Sequence, residues 1–270
     1  MTYAFIIQNN FGSSHHRGID AANITKSRVY RCGYLKSSAF INVFVHVKYV
    51  CPQILKSYNT SYHVFDRIDN FRNLDLSGFS GEIVSTDYQL KYCKTRVCAV
   101  IPHHVNIRCN FHNMYFTNKT NPTVGLVGTN THVPYNLFEE LKSFKILVEK
   151  KNDLCLFYNK IDIAISWKSL EHKPNERFSN PIWFGIPTIG YAHNRAYTEY
   201  KNANPFLCTN VSCVKMVIYG ILNGSLSEKF VRLQQEVRND VHPLRVSQMY
   251  NSMFELLNLK SSRRAVSPLL

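Results

Sequence analysis

A basic cluster in the second half of the sequence has the composition of a phosphate-binding site. It consists of Lys168, His172, Lys173 and Arg177, and it leads into a helix-compatible run. Cationic side chains and the free N–H groups at the start of a helix both attract phosphate. Asn180 lies three residues after Arg177, so the two side chains share a helical face. The cluster therefore predicts an anion site, although a solvated charged loop is the alternative.

Two further candidates for the same chemistry flank the cluster. The segment "TVGLVGTNTH" places Gly128 just past an apolar strand, where a backbone can approach a phosphate and Thr129 can donate a hydrogen bond. Glu199 follows the strand "IPTIG", where a carboxylate can accept hydrogen bonds from a ribose or sugar hydroxyl. A plain turn and an ordinary surface glutamate are the respective alternatives.

The first half of the sequence offers histidines at the ends of apolar strands. His46 ends "INVFVHVKY", and an imidazole held rigidly there is a candidate general base. A core histidine with satisfied hydrogen bonds is the alternative. His15 and Arg17 in "GSSHHRG" and His103 in "IPHHVN" also follow strands, so we expect all of them at one edge of a parallel sheet.

The elements that must position these residues alternate between apolar strands and helix-compatible segments. Strands such as "AFINVFVHVKY" are apolar on both faces, which is typical of a parallel sheet covered on both sides by helices. The pattern stops at an Asn-rich, Pro-ending segment and then restarts. The sequence therefore predicts an α/β protein with a first domain at 1–112, a linker at 113–122, a second domain at 123–258 and a basic mobile tail at 259–270.

Composition narrows the class of partner. The chain of 270 residues carries 32 Lys and Arg against 18 Asp and Glu, a net charge of +14, which favours anionic partners. Its aromatic residues lie within strand patterns and are not interleaved with basic ones, so nucleic acid is not an expected partner. No secretory signal pattern or run of about 20 apolar residues is present. The expected location is the cytoplasm, with peripheral contact to a membrane left open.

The eight cysteines stand mostly in apolar contexts such as "LCLF", which predicts reduced thiols in the core. A metal site formed by Cys93, Cys98, His103 and His104 is the strongest alternative, but the spacing of the two cysteines does not fit a zinc knuckle. We therefore expect no bound metal.

The second half of the chain resembles the nucleotide-sugar-binding half of a GT-B-fold glycosyltransferase. The resemblance is carried by "TVGLVGT", "DIAISW", "KPNERFSNPIWFGIPTIG" and "YTEY". The first half agrees through "GSSHHRGIDAA", "INVFVHVKY" and "EIVSTDYQ…CAVIPHHVN". The resemblance implies two Rossmann-like doubly wound domains that face each other across a cleft, with the donor held by the second domain and the acceptor by the first.

The resemblance also implies roles for individual residues. His46 matches a catalytic or sugar-contacting position, Lys173 and Arg177 match positions that neutralise the diphosphate, and Glu199 matches a ribose or sugar contact. Gly128, Thr129 and Asn180 complete the expected donor site, and the acceptor side is expected at His15, Arg17 and His103. Basic side chains then stabilise the leaving phosphate, so neither a metal nor a cofactor is expected.

The sequence departs from the resemblance at one motif. Many retaining members carry two glutamates eight positions apart, and the matching positions here are His172 and Asn180. We predict a metal-independent transferase that moves a hexose from a nucleoside-diphosphate sugar to an unknown glycan, lipid or protein acceptor. A catalytically inactive nucleotide-binding scaffold is the first alternative, and a nucleic-acid-binding protein is the second.

Overall fold

The computed structural model describes residues 2–8, 15–34, 40–68, 74–105, 109, 121–128, 133–134, 136–149, 154–167 and 176–262. The chain divides into two compact units. The first unit comprises Met1–His104 and Pro243–Leu270, and the second comprises Val105–His242. The described residues of each unit form one sheet.

The first unit is built on a six-stranded parallel sheet. Its strands are β1 (Tyr3–Ile7), β2 (Arg28–Arg31), β3 (Val43–Val47), β4 (Tyr62–Asp66), β5 (Gly81–Val84) and β6 (Cys98–Val100). Their order is β2-β1-β3-β4-β5-β6, and every neighbouring pair is parallel.

The second unit is built on a five-stranded parallel sheet. Its strands are β7 (Thr123–Leu126), β8 (Lys145–Val148), β9 (Ile163–Ser166), β10 (Thr188–Tyr191) and β11 (Leu207–Cys208). Their order is β11-β10-β9-β7-β8, and again every neighbouring pair is parallel.

The first helices of the chain lie between strands of the two sheets, and the last ones follow β11. They are α1 (Ala21–Ile24), α2 (Pro52–Ser57), α3 (Leu137–Glu140), α4 (Leu154–Tyr158), α5 (Glu176–Trp183), α6 (Arg195–Thr198), α7 (Val211–Leu222), α8 (Ser227–Asp240) and α9 (Pro243–Ser262). A π-helical turn, His15–Asp20, precedes α1, and 3-10 turns cover Asp87–Tyr92 and Asn204–Phe206.

The central strands are buried because their side chains are apolar on both faces. All five residues of β3 are buried, and so are all four residues of β9. Phe5 of β1 lies opposite Val45 of β3 in the register, and both belong to the core of the first unit. The prediction of two parallel, doubly wound sheets is confirmed.

The last helix is placed differently from the predicted domain boundaries. Those boundaries put 243–258 in the second domain, but α9 packs on the first sheet. Its buried face comprises Val246, Tyr250, Met253, Phe254 and Leu257. The helix also continues to Ser262, beyond the predicted start of the tail at 259. Residues 263–270 and most of the predicted linker lie outside the described residues.

Several short elements have no counterpart among the predicted ones. The edge strand β2 has the sequence "RVYR", which is half-exposed and lacks an apolar pattern. Strand β11 has only two residues, and α4 and α6 have five and four. Segments this short carry too little periodicity to be read from the sequence.

Candidate functional site

The strand order of the second sheet identifies its ligand edge. Beginning at the other end, the order is β8-β7-β9-β10-β11, so the connections leave in opposite directions from β7 and from β9. In doubly wound sheets of this order, ligands bind at the carboxyl ends of the strands beside that reversal point. The residues that follow β7 and β9 are therefore the first place to look for a site.

Gly128 follows β7 and is held in a conformation that favours glycine. Its φ is +102°, in the left-handed region. A Cβ atom added at Gly128 would lie 2.1 Å from Nη1 of Arg177. Its backbone N–H donates to Oε2 of Glu149, with an N···O distance of 2.5 Å. Glycine at this position thus lets a guanidinium, a carboxylate and a backbone N–H meet at one point.

Arg177 reaches this point from the first turn of α5. The helix begins at Glu176, directly before it, and Arg177 is half-buried. The structure therefore brings two predicted phosphate contacts, Gly128 and Arg177, together at a helix start. Asn180, the third, is only 5% exposed, and α5 buries it together with Phe178 and Ser179.

Two buried tyrosines lie near these charges. Burial raises the pKa of Tyr158 well above its usual value, and Glu149 and Glu176 raise it further. Burial also raises the pKa of Tyr197 to about 12, against a hydrogen bond with Ser166 and the positive charge of Arg177, which lower it. The Tyr197 and Ser166 hydroxyls are 2.7 Å apart. Both tyrosines are therefore neutral at physiological pH.

Three aromatic rings form a ledge at the carboxyl ends of β9 and β10. The ring centroids of Trp167 and Tyr191 are 4.8 Å apart, and those of Tyr191 and His193 are 5.0 Å apart. Trp167 is buried, Tyr191 is half-buried and His193 is exposed. The aromatic ledge can stack against a planar ring, and stacking of this kind binds nucleotide bases of any type.

Glu199 does not directly follow a strand. It is the C-cap residue of α6 and is exposed, and it contributes to the raised pKa of the buried Tyr200. The predicted contacts Thr129 and Lys173, and with them Lys168 and His172, lie outside the described residues.

Sequence reasoning missed Glu149, Tyr158, Ser166 and Tyr197. Glu149 and Ser166 were detectable in principle, because each lies at the carboxyl end of an apolar strand, the position at which ligand-binding residues of such sheets occur. The two tyrosines lie in or near short helices, and only tertiary packing brings them to the site.

His46 in the first unit is held inside the core. It is fully buried, and its Nδ1 accepts a hydrogen bond from the backbone N–H of Cys51 at 3.2 Å. Its Nε2 is 3.1 Å from Nδ1 of His63, whose own Nε2 is 2.9 Å from the carbonyl oxygen of Tyr58. These hydrogen bonds together require one proton on each imidazole, on Nε2, so both rings are neutral. The geometry favours the alternative interpretation of a satisfied core histidine.

Arg17 is also a structural cation in this structure. It is fully buried and makes a bidentate ion pair with Asp66, with N···O distances of 2.9 and 3.0 Å. Its Nη1 donates to the carbonyl oxygens of Ile101 and Pro102. The guanidinium therefore ties the turn after β1 to the ends of β4 and β6.

The other two predicted acceptor-side residues differ in exposure. His103 is fully buried, whereas His15 is partly exposed, and its Nε2 lies 3.5 Å from Asp20. Of the acceptor-side residues, His15 alone presents part of its side chain to solvent.

A cavity of about 820 Å³ opens elsewhere in the first unit. It lies at the amino ends of β4, β5 and β6, and its lining includes Tyr62, Ser80, Lys94 and Arg96. This is the edge opposite to the one at which doubly wound sheets bind ligands, so the carboxyl edge of the second sheet remains the better candidate.

The prediction of reduced core thiols is wrong in this structure. All eight cysteines are paired, as Cys32–Cys51, Cys93–Cys98, Cys109–Cys155 and Cys208–Cys213. Tertiary contacts and local turns bring the partners together, and a sequence alone does not fix connectivity. The pairing of Cys93 with Cys98 also removes the alternative metal site.

The pairing bears on the predicted location as well. Disulfides are typical of oxidising compartments, so four of them do not favour the cytoplasm. Among the described residues, no helix has the length and apolar character needed to cross a bilayer, and no group of three or more His, Cys, Asp or Glu is placed to hold a metal ion.

Comparison with known proteins identifies the fold. No protein-family model and no curated protein matches the sequence. The solved structure of Anabaena Alr3699/HepE in complex with UDP is similar at a TM-score of 0.67 and 10% identity, over 94% of this chain and 100% of that one. The chain has the GT-B fold.

Two glycosyltransferases share this GT-B fold with the chain. AviGT4, a glycosyltransferase involved in avilamycin A biosynthesis, is similar at a TM-score of 0.64 and 10% identity, over 95% of this chain and 98% of that one. The pneumococcal O-GlcNAc transferase GtfA, in complex with UDP and GlcNAc, is similar at 0.54 and 11%, over 80% of this chain. The chain spans only 56% of the length of GtfA.

Proposed function

We propose that this protein is a glycosyltransferase that moves a hexose from a nucleoside-diphosphate sugar to an acceptor. The observation that carries the proposal is the meeting of the Gly128 N–H and the Arg177 guanidinium at the start of α5. This meeting lies at the reversal point of the second sheet, where such folds bind nucleotides. The GT-B fold supports the class of reaction.

In the proposed reaction, Arg177 binds the diphosphate and stabilises the negative charge that grows on it as the bond to the sugar breaks. A guanidinium donates two parallel hydrogen bonds to a phosphate, and the start of α5 adds the positive end of a helix dipole. Lys173 and Thr129, predicted from the sequence, supply further donors. With this charge stabilisation the proposed mechanism needs neither a metal nor a cofactor.

The base and the ribose of the nucleotide would bind beside the phosphates. The aromatic ledge of Trp167, Tyr191 and His193 offers a stacking surface for the base. Glu199, exposed after α6, is the proposed acceptor of hydrogen bonds from the ribose hydroxyls.

The acceptor is proposed to be a glycan, a lipid or a protein, and peripheral contact with a membrane remains a prediction. His46 has no catalytic role in the proposal, because both of its ring nitrogens are engaged in the core. His15 is the acceptor-side residue that we retain, since its side chain is partly exposed.

The proposal is tested by nucleotide binding to the full chain. UDP is the first probe, because two of the similar structures hold it, and GDP and ADP follow. We expect Arg177→Ala to weaken UDP binding by about 10- to 100-fold in calorimetry, the usual effect of losing a charge-assisted hydrogen bond. The variant should keep the wild-type circular dichroism spectrum.

Arg232→Ala is the matched control. Arg232 lies on α8 in the same unit, its side chain is 72% exposed, and its ion-pair distance to Glu228 is a long 3.9 Å. The control removes the same charge and should bind UDP like the wild type. Equal affinity in wild type and Arg177→Ala would exclude the role assigned to Arg177.

A catalytically inactive scaffold is the second candidate. It is favoured by Asn180, which stands where retaining relatives have glutamate and is buried in α5. A scaffold would bind UDP but release no sugar from UDP-glucose or UDP-N-acetylglucosamine, with or without added acceptors. Release of free sugar or formation of a glycosylated product would exclude it.

A further inference from the structure

The candidate phosphate site already holds an anion that belongs to the protein. An oxygen of the Glu149 carboxylate accepts the N–H of Gly128 at 2.5 Å, and the guanidinium of Arg177 lies against the α-carbon of the same glycine. We propose that the Glu149 carboxylate occupies the position of a phosphate group at this site and is displaced when a nucleoside diphosphate binds. This inference rests on the proposed function, since it concerns the same site.

The position of Glu149 supports a direct competition. The residue directly follows β8, the neighbour of β7, and its backbone N–H is bonded to the carbonyl oxygen of Leu126. Its backbone is therefore fixed beside Gly128, and only the side chain has to move. Carboxylate and phosphate oxygens are both charged acceptors, so one N–H serves one of them at a time.

The charges around the site point in the same direction. Two carboxylates, Glu149 and Glu176, and one guanidinium, Arg177, all act on the hydroxyl of Tyr158. A diphosphate that enters while Glu149 stays in place meets repulsion at a half-buried position, where charges are screened less than in water.

If Glu149 competes with the phosphate, removing its charge changes nucleotide affinity in the opposite direction to removing a ligand-binding residue. If Glu149 instead accepted a hydrogen bond from a ribose hydroxyl, removing its charge would weaken nucleotide binding. If it competes with the phosphate, removing its charge strengthens binding, because the glutamine amide holds the Gly128 N–H less firmly and repels no phosphate.

The experiment is calorimetric titration of the full chain with UDP and, separately, with uridine. We expect Glu149→Gln to bind UDP at least about fivefold more tightly than the wild type, from the loss of one nearby like charge. Uridine carries no phosphate, so its affinity should not change. Glu228→Gln is the control, because Glu228 is an exposed carboxylate on α8 in the same unit.

The outcomes separate the inference from the proposed function. Unchanged or weaker UDP binding by Glu149→Gln, with the wild type binding UDP, overturns the inference and leaves the proposed function standing. An equal gain for uridine also overturns it, since the effect would then not involve the phosphates. If neither the wild type nor the variants bind UDP, GDP or ADP, the proposed function fails and the inference falls with it. Glu149→Ala is used for the same titrations if the Glu149→Gln variant is less stable to urea than the wild type.

Discussion

The two units have sheets of related strand order, but the charged side chains at their strand ends differ in burial and in pairing. In the first unit, Arg17 and Asp66 form a fully buried ion pair, and Arg67 and Glu82 form another. In the second unit, the charges of Glu149 and Arg177 are half-buried and meet at a glycine. The first set is closed within the protein, and the second is accessible to a ligand.

The strand order of a sheet determines which edge could bind a ligand, and the side chains at that edge determine whether it does. Both sheets present loops at the carboxyl ends of parallel strands, which is the arrangement that binds ligands in such folds. Among the described residues of the first unit, the buried Arg17 and Arg67 each have a carboxylate partner, so their charges hold the fold together. In the second unit, an anion already stands on the N–H that a phosphate would use, so its charges can be exchanged.

The largest expected effect is the loss of the buried ion pair of the first unit. Asp66→Asn removes the negative charge that faces Arg17 while keeping the size of the side chain. Leaving a buried charge unpaired typically costs about 3 to 5 kcal/mol. We expect that loss in the free energy of unfolding, measured with urea.

Glu149→Gln makes the same chemical change in the second unit and sharpens the comparison. Its carboxylate is half-buried, so we expect its free energy of unfolding to stay within about 1 kcal/mol of the wild type. Similar losses in Asp66→Asn and Glu149→Gln would contradict the distinction between closed and accessible charges.

An effect smaller than that of Asp66→Asn is expected from acid, through the two histidines of the first unit. Burial, with a contribution from the neighbouring His63, lowers the pKa of His46 to about 3, and burial lowers that of His63 as well. A second proton on His46 would have to sit on Nδ1, which already accepts the N–H of Cys51. The folded protein therefore resists protonation that the unfolded chain accepts.

The direction in which stability changes with pH follows from the lowered pKa of His46. The stabilisation by neutral His46 is fully present above the unfolded pKa of about 6.5 and is lost as the pH falls towards 3. Between pH 7 and about pH 4.5 we expect a loss of about 2 to 3 kcal/mol that is absent in His46→Gln. Urea unfolding of both proteins at several pH values measures the difference. Parallel pH profiles would contradict the proposed core role of His46.

Much of the fold could be predicted from the sequence, because buried parallel strands are apolar on both faces. The strands β1, β3 and β9 follow from that pattern alone. The placement of α9 does not, since the apolar pattern of a helix does not say which sheet the helix covers. The disulfides could not be predicted either, because pairs such as Cys109–Cys155 depend on which segments meet in three dimensions.

The candidate site was predictable in its parts and not in its assembly. Gly128 and Arg177 stand out by residue type and by their place after a strand and in a first helical turn. Their contact depends on the glycine conformation and on the packing of α5, which no local pattern contains. His46 has the residue type of a catalytic base, but its partner, His63, comes from the next strand, so only the structure reveals that both are satisfied.

A modest change in stability is expected at Gly128, where a substitution separates the contribution to the fold from the contribution to binding within the second unit. Gly128→Ala places a Cβ in a left-handed conformation, which costs about 1 to 2 kcal/mol. The same Cβ would lie 2.1 Å from Nη1 of Arg177, so the guanidinium has to leave its position. We expect a modest loss in the free energy of unfolding together with a loss of UDP binding of at least about tenfold.

Gly224→Ala provides the control that isolates the guanidinium. Gly224 also has a positive φ, +78°, but a Cβ there would meet only the Ser227 hydroxyl at 3.6 Å. It should lose a similar amount of stability and keep the wild-type affinity for UDP in calorimetry. Equal UDP affinity in both alanine variants would mean that the contact between Gly128 and Arg177 contributes to the fold alone, and the second unit would then resemble the first in having its charges committed to structure.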